Sequence, residues 1–347
     1  MTTGISQFTT AALVLVTGTA FGQASATGPA ADTVEAASDQ PGDEVIDTSA
    51  GDLATDVGQG RGSYLLSDER LTPEDSDIGW EGFLDGQRGV DHFYKPVGNP
   101  LYFEGAVNDT RVSPLFLYHE FAGGSQLQGG DLTVFAVQVR VALTERLGFI
   151  ATKDGFSLLD TGTFQDADGW NDIAAGLKYV ILDNRETDTI VTGGVRYMLE
   201  SGSDRVLQGN VAEISPFVSF AQGYEAAQLQ GNVTWRAPLD DDDGNHVIQW
   251  SGQAAYEVID GVAPIVGLHG LHYVSDGNRV PFSVGGLDYA NLGSADVSGS
   301  TVIWADAGVA LKLTPNVEVG VNYGFSLTNV NADIMDNRVT ALIHFKW

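Results

Sequence analysis

The sequence contains no cysteine, which excludes disulfide frameworks, thiolate metal sites and thiol catalysis. No apolar run approaches the roughly 18 residues that a membrane-spanning helix needs, and the mean hydropathy is -0.02. Basic residues are scarce, since 17 Lys and Arg stand against 46 Asp and Glu, for a net charge of -29. A chain this acidic has no surface to neutralise phosphates, so nucleic acid is excluded as a partner. A membrane β-barrel is not excluded, because alternating strands average out in hydropathy.

The first 108 residues divide into three segments of different composition. Residues 11–22 are apolar and are followed by Ala24, Ser25 and Ala26, which predicts a secretory signal peptide over 1–26, although no Lys or Arg precedes Arg61. An Ala-rich disordered tail is the alternative. Residues 27–60 hold eight acidic residues and no basic one, which predicts a disordered linker. Residues 61–108 mix aromatics with Gly and Pro, and we interpret them as an irregular periplasmic lead-in or plug.

From residue 109 onward, apolar and polar residues alternate with the period of two that is typical of strands. In the stretch 317–328, for example, Val319, Val321 and Tyr323 fall on one face while Gly320 and Asn322 fall on the other. Such stretches are long enough for the roughly 9–11 tilted residues that cross a bilayer. We predict twelve strands near 110–121, 132–144, 147–159, 170–183, 188–200, 211–222, 225–238, 246–259, 262–275, 300–314, 316–329 and 337–347.

The connections between these strands alternate in length. Short turns are predicted near 145–146, 183–188, 223–224, 260–261 and 315–316, and longer polar loops at 122–131, 160–169, 201–210, 239–245, 276–299 and 330–336. This order is typical of an up-and-down antiparallel transmembrane barrel, in which periplasmic turns are short and external loops are long. The sequence therefore predicts an all-β fold, a barrel of about twelve strands over 109–347. Gly155, Pro264 and Gly270 indicate bulges or kinks in two poorly alternating strands.

The apolar faces of these strands carry large aromatic side chains. Those near strand ends are expected to form girdles at the two membrane interfaces. They are Tyr179, Tyr197, Trp235, Trp250, Tyr256, Tyr323 and Trp347. A packed soluble core is the alternative, but it would need one very large apolar interior.

The final strand, residues 338–347, alternates to the end, and Phe345 and Trp347 are its last two apolar-face residues. This ending resembles the C-terminal membrane-insertion signal of bacterial outer-membrane β-barrels. The resemblance implies an outer-membrane location, contact with outer-membrane lipid, and recognition by the barrel-assembly machinery.

The charged residues on the polar faces are predicted to line the pore, and they separate by sign along the chain. Four basic residues come from earlier strands and three acidic residues from later ones, so that a basic wall would face an acidic wall. Opposed walls impose a transverse field that favours polar or zwitterionic solutes. Salt bridges that fill and stiffen a narrow lumen are an equal alternative. The residues are Arg140, Lys178, Arg196, Arg236, Glu257, Asp306 and Glu318.

Three functions fit this reading. The first is a channel for passive or weakly selective passage of small polar solutes. The second is a hydrolase like the twelve-stranded outer-membrane phospholipase, but no His-x-Ser pair of that family is present, so we predict no catalytic residue and no enzyme. The third is a closed structural or hydrophobic-substrate barrel, because the runs at 99–104 (NPLYFE) and 114–119 (PLFLYH) resemble small barrels of aromatic-degradation gene clusters.

No cofactor or metal site is predicted. The four aspartates at 240–243 lack the spaced ligands and distal Glu of a calcium loop. His119, His269, His272 and His344 lack metal-ligand spacing. The oligomeric state and the solute are not determined by the sequence.

Overall fold

The computed structural model describes residues 82–329 and 334–346, so the predicted signal peptide and acidic linker lie outside the described residues. Within those ranges the chain forms fourteen β-strands and one short 3-10 turn at Asp204–Val206. The strands are β1 (Arg111–Glu120), β2 (Gly130–Ala142), β3 (Leu147–Lys153), β4 (Phe156–Thr161), β5 (Ala167–Trp170), β6 (Ile173–Asn184), β7 (Thr189–Leu199), β8 (Glu213–Tyr224), β9 (Ala227–Pro238), β10 (Val247–Tyr256), β11 (Val262–Tyr273), β12 (Thr301–Thr314), β13 (Val317–Ser326) and β14 (Asn337–Lys346). No helix in these ranges is long and apolar enough to cross a membrane.

The sheet closes on itself, because β1 pairs with both β2 and β14. Every pairing between neighbouring strands is antiparallel. β3 and β4 pair with successive halves of β2, while β5 pairs with β4 and β6 with β3. These four segments therefore make two interrupted strands. The result is a closed barrel of twelve strands, as predicted.

Of the three irregularities predicted within strands, the structure confirms one and corrects two. The kink expected at Gly155 is present, since this residue separates β3 from β4 and has φ +115°, a conformation that favours glycine. The bulges expected at Pro264 and Gly270 are wrong, because β11 keeps an unshifted register with both neighbours. Pro264 lies on the exposed outer face, and a Cβ at Gly270 would meet the Trp250 ring at 2.4 Å, so this glycine makes room for an aromatic side chain.

The two ends of the barrel differ in their connections. Five short connections, at 143–146, 185–188, 225–226, 257–261 and 315–316, lie at one end, which we call the turn side. Six connections lie at the other end, the loop side, and the longest spans 274–300. Five of them are longer than every turn-side connection, and the sixth, 162–166, has the same length as 257–261. This largely confirms the predicted alternation, although the turn expected at 223–224 lies two residues later.

The outer surface of the strands is apolar and exposed, whereas the polar side chains between them point inward and are buried. In hydrocarbon every backbone polar group must be paired within the protein, and a closed sheet does this without an edge. Exposed aromatics gather near both ends, as expected of interfacial girdles. They include Tyr224, Tyr256 and Phe345 towards the turn side, and Trp170, Tyr197 and Trp235 towards the loop side. Trp347 lies outside the described residues.

This arrangement makes a prediction about charge on the outer face. Val233 is 53% exposed in the middle of β9, and Leu239 is 57% exposed just beyond the end of the same strand. We expect Val233→Arg to lower the free energy of unfolding in lipid vesicles by about 2–4 kcal/mol, and Leu239→Arg by about 1 kcal/mol or less, because arginine is costly only at the bilayer midplane. Guanidinium titration of refolded protein measures both. Equal losses at the two sites would contradict a lipid-facing β9.

Candidate functional site: a re-entrant segment inside the barrel

Residues 82–110, which we call the plug segment, lie inside the barrel. Their contacts begin at the turn side, reach Glu213 and Arg236 near the loop-side ends of β8 and β9, and return to the turn side where Asn108 meets the carbonyls of Thr144 and Glu145. The segment therefore enters and leaves by the same mouth, with its apex near 99–103. Its side chains are among the most buried of the fold, including Val90, Phe93, Tyr94, Val97, Asn99, Leu101, Tyr102, Glu104, Ala106 and Asn108.

Polar contacts fix the first turns of the plug segment against the turn-side mouth. Gln87 Nε2 donates to Asp183 Oδ2 at 2.7 Å, and Arg88 pairs with Glu145 at 2.5 Å. The ring of His92 lies 2.8 Å from Asp188. These partners belong to two different turns, so the segment crosses the opening before it rises into the lumen.

The irregular main chain of the plug segment is hydrogen-bonded by side chains of the barrel wall. Side-chain oxygens of the wall accept hydrogen bonds from the N–H groups of Tyr94, Lys95 and Val97, with N···O distances of 2.7–2.9 Å. Others donate to its carbonyls, as Gln138 does to Pro100 and Thr192 does to Ala106. Turns within the segment pair only some of its backbone groups, such as the Phe103 N–H with the Asn99 carbonyl, and leaving the others unpaired in a buried site would cost free energy. The wall partners are Gln138, Thr192, Arg196, Ser219, Gln228, Gln230, Gln253 and Glu318.

A buried ionic cluster joins the plug segment to the basic wall. It involves residues 104–110, which lead from the apex back to the turn side and which we call the returning arm. Glu104 accepts from Arg140 at 2.9 Å and from Lys178 at 2.8 Å, and all three side chains are almost fully buried. Lys178 also donates to the carbonyls of Gly105 and Val107. One carboxylate thus compensates two cations whose strands bring no acidic partner of their own.

At the apex, Tyr102 lies between two guanidinium groups. The Arg196 and Arg236 groups stand 4.4 and 4.5 Å from the centre of its ring, a cation–π geometry. The Tyr102 hydroxyl donates to Glu213 at 2.9 Å, and the same carboxylate pairs with Arg236 at 3.1 Å. The apex is therefore held by an aromatic ring and a hydrogen bond together.

The loop 274–300, which we call the cap loop, folds over the loop-side mouth and reaches the same group of residues. Arg236 donates to the carbonyls of Leu287 and Ala290, and Asn291 donates to Glu213 at 2.7 Å. Arg236 and Glu213 therefore contact the plug segment from below and the cap loop from above. Together the two segments occupy both ends of the lumen.

A second ion pair fastens the cap loop to the closing strand. Arg338 in β14 makes two hydrogen bonds to Asp288, at 2.6 and 2.9 Å. Burial alone would raise the pKa of Asp288, but the Arg338 guanidinium outweighs it, so this pKa lies below its ordinary value. The carboxylate stays ionised and the pair is of the strong, bidentate kind.

The structure places the predicted pore-lining residues on the inner face. They form neither two walls of opposed free charges nor salt bridges with one another. On the basic side, Arg140 and Lys178 meet Glu104, and Arg196 donates to the Leu101 carbonyl at 2.8 Å. The acidic residues do not meet these cations. Glu257 accepts from the Tyr94 hydroxyl, Glu318 accepts from the Lys95 N–H, and Asp306 pairs with His269 at 2.5 Å.

Several residues of this site were not singled out from the sequence. Glu104 and Tyr102 lie in the stretch 99–104 (NPLYFE), but nothing in that stretch predicts which wall residues they contact. The Arg338–Asp288 pair joins residues 50 positions apart through a loop without periodicity. Within the described ranges, no group of three or more His, Asp or Glu side chains is arranged to hold a metal ion.

Comparison with known proteins assigns no family to this chain. No protein-family model matches the sequence, and no curated protein matches it. Among solved structures, the translocator domain of the autotransporter NalP from Neisseria meningitidis is similar with 12% identity and a TM-score of 0.42, over 72% of this chain and 92% of that one. OprD from Pseudomonas aeruginosa is similar with 10% identity and a TM-score of 0.34, over 72% and 97%. OmpT of Vibrio cholerae is similar with 8% identity and a TM-score of 0.33, over 69% and 97%.

These values are low, and they assign no subfamily. The architecture follows from the fold itself: a closed circuit of antiparallel strands, an exposed apolar outer face, aromatic side chains near both ends, and short turns opposite mostly longer loops. These are the features of a transmembrane β-barrel, here one of twelve strands.

Proposed function

We propose that this barrel is an outer-membrane channel for small polar solutes, closed by the plug segment and opened when that segment leaves the lumen. The observation that carries the proposal is the chemistry of the wall behind the plug. The side chains that bind the plug are glutamines, hydroxyls and charges. Each of these groups can exchange a plug contact for water, so the emptied lumen would be a wet pore.

The free energies involved also favour movement of the plug over movement of the wall. An intramolecular hydrogen bond contributes about 0.5–1.5 kcal/mol net, because water replaces the lost partner. The wall itself cannot open, since its backbone pairs face hydrocarbon, where no replacement exists. The plug segment contains no strand in residues 82–110, and apart from the bond from the Leu84 N–H to the Ala142 carbonyl, its retention depends mainly on side-chain contacts. Apolar side chains such as Val97 and Leu101 add to these contacts.

Once the plug has moved, the charges that it covers determine which solutes pass. Withdrawal of Glu104 leaves Arg140 and Lys178 without their carboxylate, and Arg196 loses the Leu101 carbonyl. The opposite side keeps Glu257 and Glu318. The open pore would then have the opposed basic and acidic walls that favour zwitterionic or dipolar solutes.

A closed barrel for a structural role or for hydrophobic substrates is the second candidate, and the filled lumen favours it. In that case the plug never leaves, and ions never pass. We also propose that the closing strand β14, which carries Phe345 and pairs with β1, is read by the barrel-assembly machinery.

Covalent locking of the plug separates the two candidates. An ideal Cβ at Gly320 in β13 would lie 3.5 Å from the Val97 Cβ, within the range of disulfides, and the chain has no other cysteine. In planar bilayers we expect oxidised Val97→Cys/Gly320→Cys protein to show no openings and reduced protein to regain those of the wild type. Each single-cysteine variant should be insensitive to redox state. Wild-type protein that never conducts, even with the plug loosened, would refute the channel and support the closed barrel.

Loosening the plug is the complementary test. Glu104→Gln removes the carboxylate between Arg140 and Lys178, and loss of one partner of a buried pair costs about 3 kcal/mol or more. We expect a roughly hundredfold higher open-to-closed ratio in single-channel records. Glu186→Gln, on an exposed turn at the same end, is the matched control and should leave that ratio unchanged. No difference between the two variants would contradict gating by this segment.

The charge arrangement makes a prediction about selectivity. Arg196→Gln with Arg236→Gln removes two of the four predicted basic wall charges, so we expect the open pore to shift towards cations. Reversal potentials under a salt gradient measure this shift. Arg146→Gln with Arg205→Gln removes the same charge from connections outside the plug segment and the strands, and this double variant is the control. An unchanged reversal potential in the first double variant would refute the transverse field.

A further inference from the structure

At the turn side, a small cavity lies along the seam between the plug segment and the barrel wall. Its volume is about 30 Å³, enough for the centres of two or three water molecules. The plug contributes Asp91 and Lys95, and the wall contributes the start of β1, the turn between β12 and β13, and the end of β14. This cavity is distinct from the ionic cluster around Glu104.

The lining of this cavity is unusually basic for so acidic a chain. Four cations border it and only two carboxylates, Asp91 and Glu318. A third carboxylate, Asp109, pairs with Lys95 and Arg111 from outside the lining, so a surplus of one positive charge remains, while the chain as a whole carries -29. Three of the five lysines in the whole sequence converge here. The cations are Lys95, Arg111, Lys312 and Lys346.

Two buried nitrogen atoms of the lining also lack a hydrogen-bond partner among the residues that the structure describes. They are Arg111 Nε and His344 Nε2, and both side chains are at least 95% buried. The other ring nitrogen of His344 lies 2.8 Å from Ser113 Oγ, so the unpaired nitrogen of this cavity-lining residue is Nε2. Buried polar atoms are normally satisfied, and an unpaired one calls for a bound partner.

We propose that this cavity binds one small oxyanion, a phosphate or carboxylate group. Surplus positive charge, two unpaired nitrogens and room for a few atoms match the acceptor oxygens and negative charge of such a group. Lys346 pairs with Asp91, which is half-exposed, so the lysine can turn towards a bound anion at little cost. The proposal does not depend on whether the plug ever leaves the lumen.

Binding can be measured directly on the full-length refolded protein. Sodium phosphate and sodium acetate are each titrated by calorimetry in a phosphate-free detergent, with sodium chloride holding the ionic strength constant. We expect saturable binding of at least one of the two at one site per chain, and the arm that saturates identifies the oxyanion. Heat that never saturates in either arm would overturn the proposal.

Variants locate the site. Lys346→Gln should weaken binding at least tenfold, and Lys346→Arg should retain it within about threefold, because the positive charge is kept. Arg146→Gln removes one charge from a connection at the same mouth, outside both the plug segment and the cavity, so its affinity should match the wild type. If Arg146→Gln weakens binding as much as Lys346→Gln, the effect is a general surface charge and the assignment is wrong. Heat-modifiable migration in gels confirms that each variant is a folded barrel.

Discussion

The interior of this protein depends on one constraint: a chain without secondary structure can occupy a barrel only if other groups satisfy its backbone. The plug segment meets this constraint through the wall. Gln228 and Gln253 each accept a plug N–H and donate to a plug carbonyl, so each glutamine acts as a short piece of strand. Glutamine suits this role because its amide carries both a donor and an acceptor. The wall is thus shaped to one path of the segment.

The same constraint explains why the inner face is so polar. An inward-facing Gln, Ser or Thr would be costly in a dry apolar interior, but here many of them hydrogen-bond to a backbone group of the plug segment. Thr192 and Ser219 illustrate this, since each donates to a carbonyl of the returning arm. A lumen that is filled and a lumen that is wet therefore require the same residue types. Sequence composition alone cannot distinguish between them.

The strands and their outer face were predictable, because alternation of apolar and polar residues is a pattern within each short stretch of sequence. Alternation along 317–328 shows which residues face lipid, and repetition of that pattern shows the number of strands. The prediction failed at Pro264 and Gly270, where residue types that often disturb a strand are accommodated by their neighbours. Pro264 lies in a strand that keeps its register with both neighbours, and Gly270 gives space to Trp250. Those outcomes depend on packing between strands, which a single stretch of sequence does not contain.

For the inner face of the barrel, the sequence predicted which types of residue line it but not their partners. The sequence placed Arg140, Lys178 and Arg236 on one wall, and the structure keeps them there. Their partners come from elsewhere: Glu104 lies 36 positions before Arg140 and 74 before Lys178. Such pairings have no periodicity, and they depend on the path of a segment that contains no strand.

Glu213 and Arg236 show how the two ends of the lumen depend on each other. Glu213 accepts from Tyr102 of the plug and from Asn291 of the cap loop, while Arg236 contacts both segments as well. Departure of Tyr102 removes one of three partners of Glu213 and leaves Arg236 and Asn291 in place. The cap loop therefore keeps its own attachment, including the Arg338–Asp288 pair, when the plug moves. The plug lacks such a bidentate pair at its apex, so it is the segment held less firmly there.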